Sequence, residues 1–191
     1  MSKVVVFTNL TLDGVMQAPG RPDEDRRGGF EHGGWATPYA AMAEAGESTA
    51  TTSALLLGRR TYEDFYTVWP NRTDNPYTAV LNNTQKYVAS TTLSEPLPWI
   101  NSTLLKGDAA EAVARLKEEL DKDLVIMGSG ELVQSLMRAN LIDEYVLLIH
   151  PLVLGSGRRL FPEGSAFATL RLVGAKTTNT GVVIATYAAP R

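Results

Sequence analysis

The segment Leu57-Gly58-Arg59-Arg60-Thr61-Tyr62-Glu63 carries the clearest chemistry in the chain. A short apolar run ends at a glycine, and the helix that follows begins with two arginines. A helix N-terminus bears partial positive charge and favours Asp or Glu in its first turn, so paired cations there need a reason. An anion held between the side chains and the free backbone N–H groups supplies one. Guanidinium forks bind phosphate in bidentate fashion, and Thr61 adds a hydroxyl donor. The alternative is that Arg59 and Arg60 are solvated and pair with Glu63, Asp64 or another carboxylate. A second glycine turn, Met127-Gly128-Ser129-Gly130-Glu131-Leu132, also follows an apolar run and opens a helix. Its glycines allow close backbone approach, and the helix start offers N–H donors to a diphosphate. Val133 stands where a G-x-G-x-x-G fingerprint has its third glycine, and no Walker lysine is present, so a plain strand–helix turn remains the alternative.

The elements around these turns follow from pattern. Residues 3–11 read as a β-branched strand that ends at the turn Asp13-Gly14, and 17–36 as a long loop rich in Gly, Pro and charge. Pro38 and Gly46 bound a helix over 38–47. A strand at 53–57 leads into the arginine-led helix; then come a loop at 70–76, a short helix at 77–83 and a strand at 86–90. Residues 99–103 form a weak strand. Asp108 caps an amphipathic helix over 109–121, with Ala109, Val113, Leu116 and Leu120 on one stripe. Leu124-Val125-Ile126-Met127 is apolar throughout, as in a central parallel strand covered on both faces. A helix at 130–139 and a strand at 143–154 follow. Residues 167–176 and 181–189 alternate around Asn179-Thr180-Gly181, an antiparallel hairpin signal. Strands alternating with helices predict an α/β fold: a mainly parallel sheet with helices on both faces and an antiparallel C-terminal hairpin. In such a sheet the strand C-termini share one edge, where ligands collect.

Length and composition narrow the function. The 191 residues, 44% hydrophobic and 20% charged, fit one domain over 1–191 with a substantial core. No repeat or linker is visible. A net charge of −3 argues against a general nucleic-acid surface, and also against a helix-turn-helix at 130–145. The absence of cysteine excludes disulfides, thiol catalysis and Cys-ligated metal, and no metal is expected. No run approaches a membrane span or a signal peptide, so the expected location is cytoplasmic. The N-x-[ST] sequons at Asn9, Asn71, Asn82 and Asn101 then read as chance.

Taken together, the motifs resemble a family. Leu57 to Glu63 resembles the cofactor segment of dihydrofolate reductases. More of the chain is similar to the reductase domain of bifunctional riboflavin-biosynthesis deaminase-reductases, in stand-alone form: Leu12-Asp13-Gly14, Lys86-Tyr87-Val88-Ala89-Ser90, Val125 to Gly130, and His150-Pro151-Leu152-Val153-Leu154-Gly155-Ser156-Gly157-Arg158-Arg159-Leu160-Phe161 occur in the family's order. The resemblance implies a dihydrofolate reductase-like three-layer fold, a homodimer and an NADPH-dependent reductase. In it, Gly58, Arg59 and Thr61, with Arg60 beside them, match positions that hold the adenosine 2′-phosphate and the diphosphate. Ser90 and Thr91 match the adenine-ribose end. Gly128, Ser129 and Gly130, continuing into Glu131 and Leu132, match the diphosphate loop, where the family often has a cis peptide. The nicotinamide is expected near Asn9 and the turn from Asp13 to Met16.

The substrate side departs from the family prototypes. Dihydrofolate reductases carry a carboxylate on the first helix, where this chain offers Glu44 and Glu47 without a secure match. In the loop Gly29-Phe30-Glu31-His32-Gly33-Gly34-Trp35, Glu31 or His32 is a candidate proton donor, and Trp35 is a candidate stacking wall for a planar ring. The alternative is a structural flap with Trp35 in the core and His32 exposed. Asp13 is either an acid or a turn former, and His150 reads as a core histidine. Gly155 to Arg159 either binds a substrate phosphate or the partner subunit, or is simply a connection of the fold. The expected reaction is hydride transfer to a small planar heterocycle, pterin- or pyrimidine-like. The rival is a nucleotide-binding regulatory or interaction protein without turnover.

Overall fold

A computed structural model describes residues 2–42 and 53–190. Its strands are β1 (Val4–Thr11), β2 (Ala54–Gly58), β3 (Lys86–Ala89), β4 (Ser102–Leu105), β5 (Leu124–Met127), β6 (Glu144–His150), β7 (Arg171–Thr177) and β8 (Val183–Ala188). They form one sheet in the order β4-β3-β2-β5-β1-β6-β8-β7. The first six in that order run parallel, while β8 pairs antiparallel with both β6 and β7. Four α-helices lie wholly within the described residues: α1 (Arg59–Val68), α2 (Tyr77–Asn83), α3 (Ala109–Glu119) and α4 (Gly130–Arg138). None of the described helices is long and apolar enough to cross a membrane.

The continuous apolar runs lie in the middle of the sheet because both faces there are covered. Val4 and Val6 of β1 pack with Leu124 and Ile126 of β5 under Val113 of α3 and Val133 and Leu136 of α4. On the opposite face Val5, Phe7, Leu55 and Leu57 pack with Tyr62 of α1, Leu81 of α2 and Trp99. Asp108 caps α3 by accepting from the N–H groups of Ala110 and Glu111, as its position before the apolar stripe predicts. Lys86 has no exposed surface. Its ammonium donates to the carbonyls of Leu81 and Thr84, each at 2.7 Å, and lies 4.5 Å from the Trp99 ring. The cation thus satisfies carbonyls left over at the C-terminal end of α2, and burial pushes its pKa down to about 8.

Three sequence expectations shift. The strand at 143–154 ends at His150, because Pro151 has no N–H to give the ladder. The weak strand moves from 99–103 to Ser102–Leu105: Trp99 is instead buried under α1, its backbone N–H donating to the Tyr62 hydroxyl at 3.0 Å. The helix at 38–47 is broken at its start. A single 3₁₀ turn, Thr37–Tyr39, stops where Ala40 turns left-handed at φ 50°. Residues 41 and 42 are helical, and 43–52, with Glu44 and Glu47, lie outside the described residues.

The register positions the site. β1 pairs with β5 only as far as Phe7↔Met127, but with β6 as far as Thr11↔His150. Beyond Phe7, β1 therefore keeps a neighbour on one side only, and the sheet opens at its C-terminal edge. At the far end, all seven residues of β7 are exposed, Leu172 and Val173 among them.

Candidate functional site

The two glycine turns meet at that open edge. β2 and β5 are adjacent strands, so α1 and α4 start side by side, and Ser129 joins them. Its hydroxyl accepts the Gly58 N–H at 2.8 Å and donates to Thr61 Oγ1 at 2.8 Å. Thr61 keeps its own hydroxyl proton for another acceptor. Gly128 and Ser129 both sit at positive φ, 71° and 61°, and this aims the Ser129 side chain back at β2. The cis peptide that the resemblance implies in this loop is not found; the Gly128–Ser129 bond is trans. Neither α1 nor α4 has a side chain capping its first turn. Two sets of unsatisfied N–H groups therefore open on one space, each at the positive end of a helix dipole.

That space is a cleft of about 1550 Å³. Its walls bring together Asn9, Met16, Gly58, Arg59, Arg60, Thr61, Ser90, Thr91, Gly128, Ser129, Gly130, Glu131 and Leu132, residues scattered over more than a hundred positions of sequence. Arg59 pairs with Glu63 at 3.0 Å, while Arg60 makes no ion pair among the described residues. Met16 closes on the second turn so tightly that a Cβ on Gly130 would stand 2.8 Å from its sulfur. Ser90 is partly committed, its hydroxyl accepting the N–H groups of Thr92 and Leu93. Leu132 reaches the cleft but is mostly core, and Glu131 pairs with Arg158 at 3.5 Å.

Another part of the cleft is apolar. Phe7, Met42, Phe65, Val68 and Trp69 line it. Sequence reading singled out none of these, although Tyr62, Phe65 and Trp69 recur at helical spacing along α1, a signal for an apolar inward face. Arg21 of the long loop reaches across to Asp64 of α1 with two hydrogen bonds, at 2.6 and 3.2 Å, so the loop is tied down over the cleft.

The four residues proposed for catalysis and substrate contact stand elsewhere. Asp13 does not line the cleft. Its carboxylate accepts from the Thr11 hydroxyl and from the N–H groups of Leu154 and Gly155, which holds its pKa down at about 2. A carboxyl so placed stays ionised at neutral pH and ties the first turn to the 154–159 connection, as a latch does. Arg159 completes that latch, donating Nε to the Asp13 carbonyl at 2.8 Å; this gives the Gly155–Arg159 segment a structural role. Glu31 and His32 are exposed and outside the cleft. Trp35 is buried, its indole N–H donating to the Gln17 carbonyl at 2.8 Å, and it supports the loop from within instead of forming a wall.

Among the described residues six carboxyl residues line the cleft: Glu24, Asp25, Glu63, Asp64, Glu131 and Glu163. Asp25, Glu63, Asp64 and Glu131 are paired with arginines. Glu24 differs. Burial raises its pKa, although it accepts the N–H groups of Gly20 and Arg21.

Comparison with known proteins adds lineage to this geometry. Residues 2–184 match the family model of the RibD C-terminal domain. The chain is 30% identical over 181 residues to the uncharacterized protein YwjB of Bacillus subtilis, covering 91% of each. Among solved structures it is similar to a riboflavin biosynthesis protein of Shewanella sp. PV-4, with 21% identity, 99% coverage of both chains and a TM-score of 0.70. It is also similar to the dihydrofolate reductase of Enterococcus faecalis complexed with NADP(H), with 15% identity, coverage of 99% of this chain and 97% of that one, and a TM-score of 0.60. The fold is thus the dihydrofolate reductase-like α/β fold, and the match over nearly its whole length makes this chain a member of the RibD C-terminal domain family.

Proposed function

We propose that the protein is an NADPH-dependent reductase acting on a small planar heterocycle, pterin- or pyrimidine-like. One observation carries the reading: two uncapped helix N-termini, joined through Ser129, face one cleft beside Thr61, Arg59 and Arg60. The orphan N–H groups of α1 and α4 suit the two charges of a diphosphate, and the guanidinium pair suits a 2′-phosphate. The neighbour from Enterococcus faecalis is a complex with NADP(H), which supports the choice of cofactor. A cleft of about 1550 Å³ exceeds the usual volume of a single small-ligand pocket and leaves room for a second molecule in its apolar part.

NADPH, when bound, supplies a hydride. The chain's part is to hold the phosphates at Gly58–Thr61 and Gly128–Gly130, to press a flat ring between β1 and the Phe65–Trp69 face of α1, and to keep water out. Among the carboxyls that line the cleft, Glu24 is the proton donor we propose, since burial favours its neutral form.

Binding and turnover test this together. NADPH should stabilise the protein more than NADH, and Arg59→Ala should weaken NADPH by roughly ten- to a hundred-fold with a smaller effect on NADH, as expected for a lost charge-assisted hydrogen bond. Equal losses would show that Arg59 does not read the 2′-phosphate. Oxidation of bound NADPH by a panel of pterins and ribosylaminopyrimidines should decline as pH rises through the Glu24 pKa, and Glu24→Gln should abolish that limb. Tight NADPH binding with no oxidation by any acceptor favours the reading of a binding protein without turnover.

A further inference from the structure

His150 closes β6 opposite Thr11 and has no exposed surface. Trp35 and Tyr39 meet its ring edge-on at 5.2 and 5.1 Å, so the imidazole is clamped in one plane. Its Nε2 lies 2.8 Å from Asn9 Oδ1. Asn9 lines the cleft from β1, two residues along the strand from Phe7, which lines it too. Two arrangements fit these positions. In one, Nε2–H donates to Oδ1, and the Asn9 NH2 is left for the cleft. In the other, the amide is turned, its NH2 donates to a bare Nε2, and the imidazole proton sits on Nδ1.

Nδ1 is buried and has no hydrogen-bond partner among the described residues. Placing the proton there would strand a buried donor, whereas an unmet imidazole lone pair costs less. Burial also pushes the imidazole pKa down to about 4, so the ring is neutral at physiological pH and a single tautomer must be chosen. The Nε2–H arrangement wins. It leaves the Asn9 NH2 facing, among the described residues, only the Met42 sulfur at 3.4 Å, a weak acceptor.

We infer that His150 is a positioning residue: it turns the Asn9 carboxamide so that its NH2 meets a carbonyl oxygen on the flat heterocyclic ligand of the cleft. This rests on the reductase reading and names the group that Asn9 reads. A ring carbonyl is present both on a nicotinamide, as its carboxamide, and on a lactam-bearing pterin or pyrimidine.

The test uses the whole protein and two readouts. In ¹⁵N-labelled protein, His150 should give the nitrogen shifts of the neutral Nε2–H tautomer; an Nδ1–H pattern overturns the inference whatever binds. Binding is measured for NADPH, for 2′-phospho-ADP-ribose, which lacks the nicotinamide, and for lumazine, a lactam-bearing pteridine. Asn9→Leu and His150→Leu should each weaken NADPH or lumazine about ten-fold, the worth of one desolvated hydrogen bond. Binding of 2′-phospho-ADP-ribose should not change, and His150→Gln, which keeps a donor, should restore affinity. Loss confined to NADPH makes the nicotinamide the acceptor; loss confined to lumazine makes it the substrate ring. Unchanged binding of both, or an equal loss for 2′-phospho-ADP-ribose, overturns the inference. A wild-type protein that binds none of the three overturns the reductase reading instead, and the tautomer alone then decides the His150–Asn9 arrangement. Asn9→Leu keeps the test open if His150→Leu does not fold.

Discussion

Ser129→Ala should lower the unfolding free energy by about 2–3 kcal/mol and weaken NADPH at least about ten-fold. The stability loss comes from the Gly58 N–H, which donates to the Ser129 hydroxyl at 2.8 Å in a half-buried position. Leaving such a donor unmet costs about 1–3 kcal/mol, and the bond to Thr61 Oγ1 is lost as well. Ser129→Gly separates the contributions. Ser129 sits at φ 61°, where a residue with a Cβ is strained by roughly 1–2 kcal/mol, so glycine loses the same hydroxyl but regains that strain. Chemical denaturation should therefore order the proteins wild type, Ser129→Gly, Ser129→Ala. The two variants should nevertheless share the loss of NADPH affinity, because both uncouple the starts of α1 and α4. If Ser129→Ala unfolds at the wild-type denaturant midpoint, the joint between the two helix starts carries no energy, and the diphosphate reading loses its geometric basis.

The legible parts of this fold are those whose chemistry is local in sequence. Gly58, Arg59 and Thr61 stand within four residues, and the apolar runs of β1, β2 and β5 announce strands covered on both faces, so the edge where a phosphate binds can be read directly. The joint between the two turns cannot, because Ser129 meets Gly58 across 71 positions and only the left-handed Ser129 backbone aims it there. Asp13 was ambiguous for the same reason. Its identity as a latch depends on N–H groups of Leu154 and Gly155 more than 140 residues away. In the long loop, the polar and aromatic residues suggested catalysis, but Gln17 sits at its centre, bonding the carbonyls of Asp25 and Arg27 and the N–H of Arg158, with Trp35 beneath it. That consumes the loop's side chains in holding its shape. The apolar lining from Phe65 and Trp69 is not legible in the same way, because their spacing marks an inward face without saying that the face borders a cleft.

The buried imidazole also sets the protein's response to acid. His150 protonates near pH 6.5 in an unfolded chain and near 4 in the folded one, because burial between Trp35 and Tyr39 disfavours the cation. Between those values the unfolded state binds the extra proton, so stability falls as pH falls. Below about pH 4 both states carry it and the loss is complete. A shift of this size corresponds to about 3 kcal/mol. Two neighbours titrate nearby, in distinguishable ways. Asp13, held down at about 2, lends stability that is lost only as pH falls from its ordinary value of 3.8 toward 2, below the His150 window. Glu24, raised by burial, acts in the opposite sense: folding is helped as it protonates, so it masks part of the His150 loss above pH 4.5. The difference between wild type and His150→Gln cancels both. Glutamine keeps a donor for Asn9 but does not titrate, so the gap between the two proteins should move by about 3 kcal/mol in favour of the variant from pH 7 to pH 4. Parallel stability curves over that range would mean that the imidazole is hydrated or charged in the folded state. The Asn9 amide would then lose the fixed neutral donor that orients it, and the acid sensitivity and the ligand orientation would fail together.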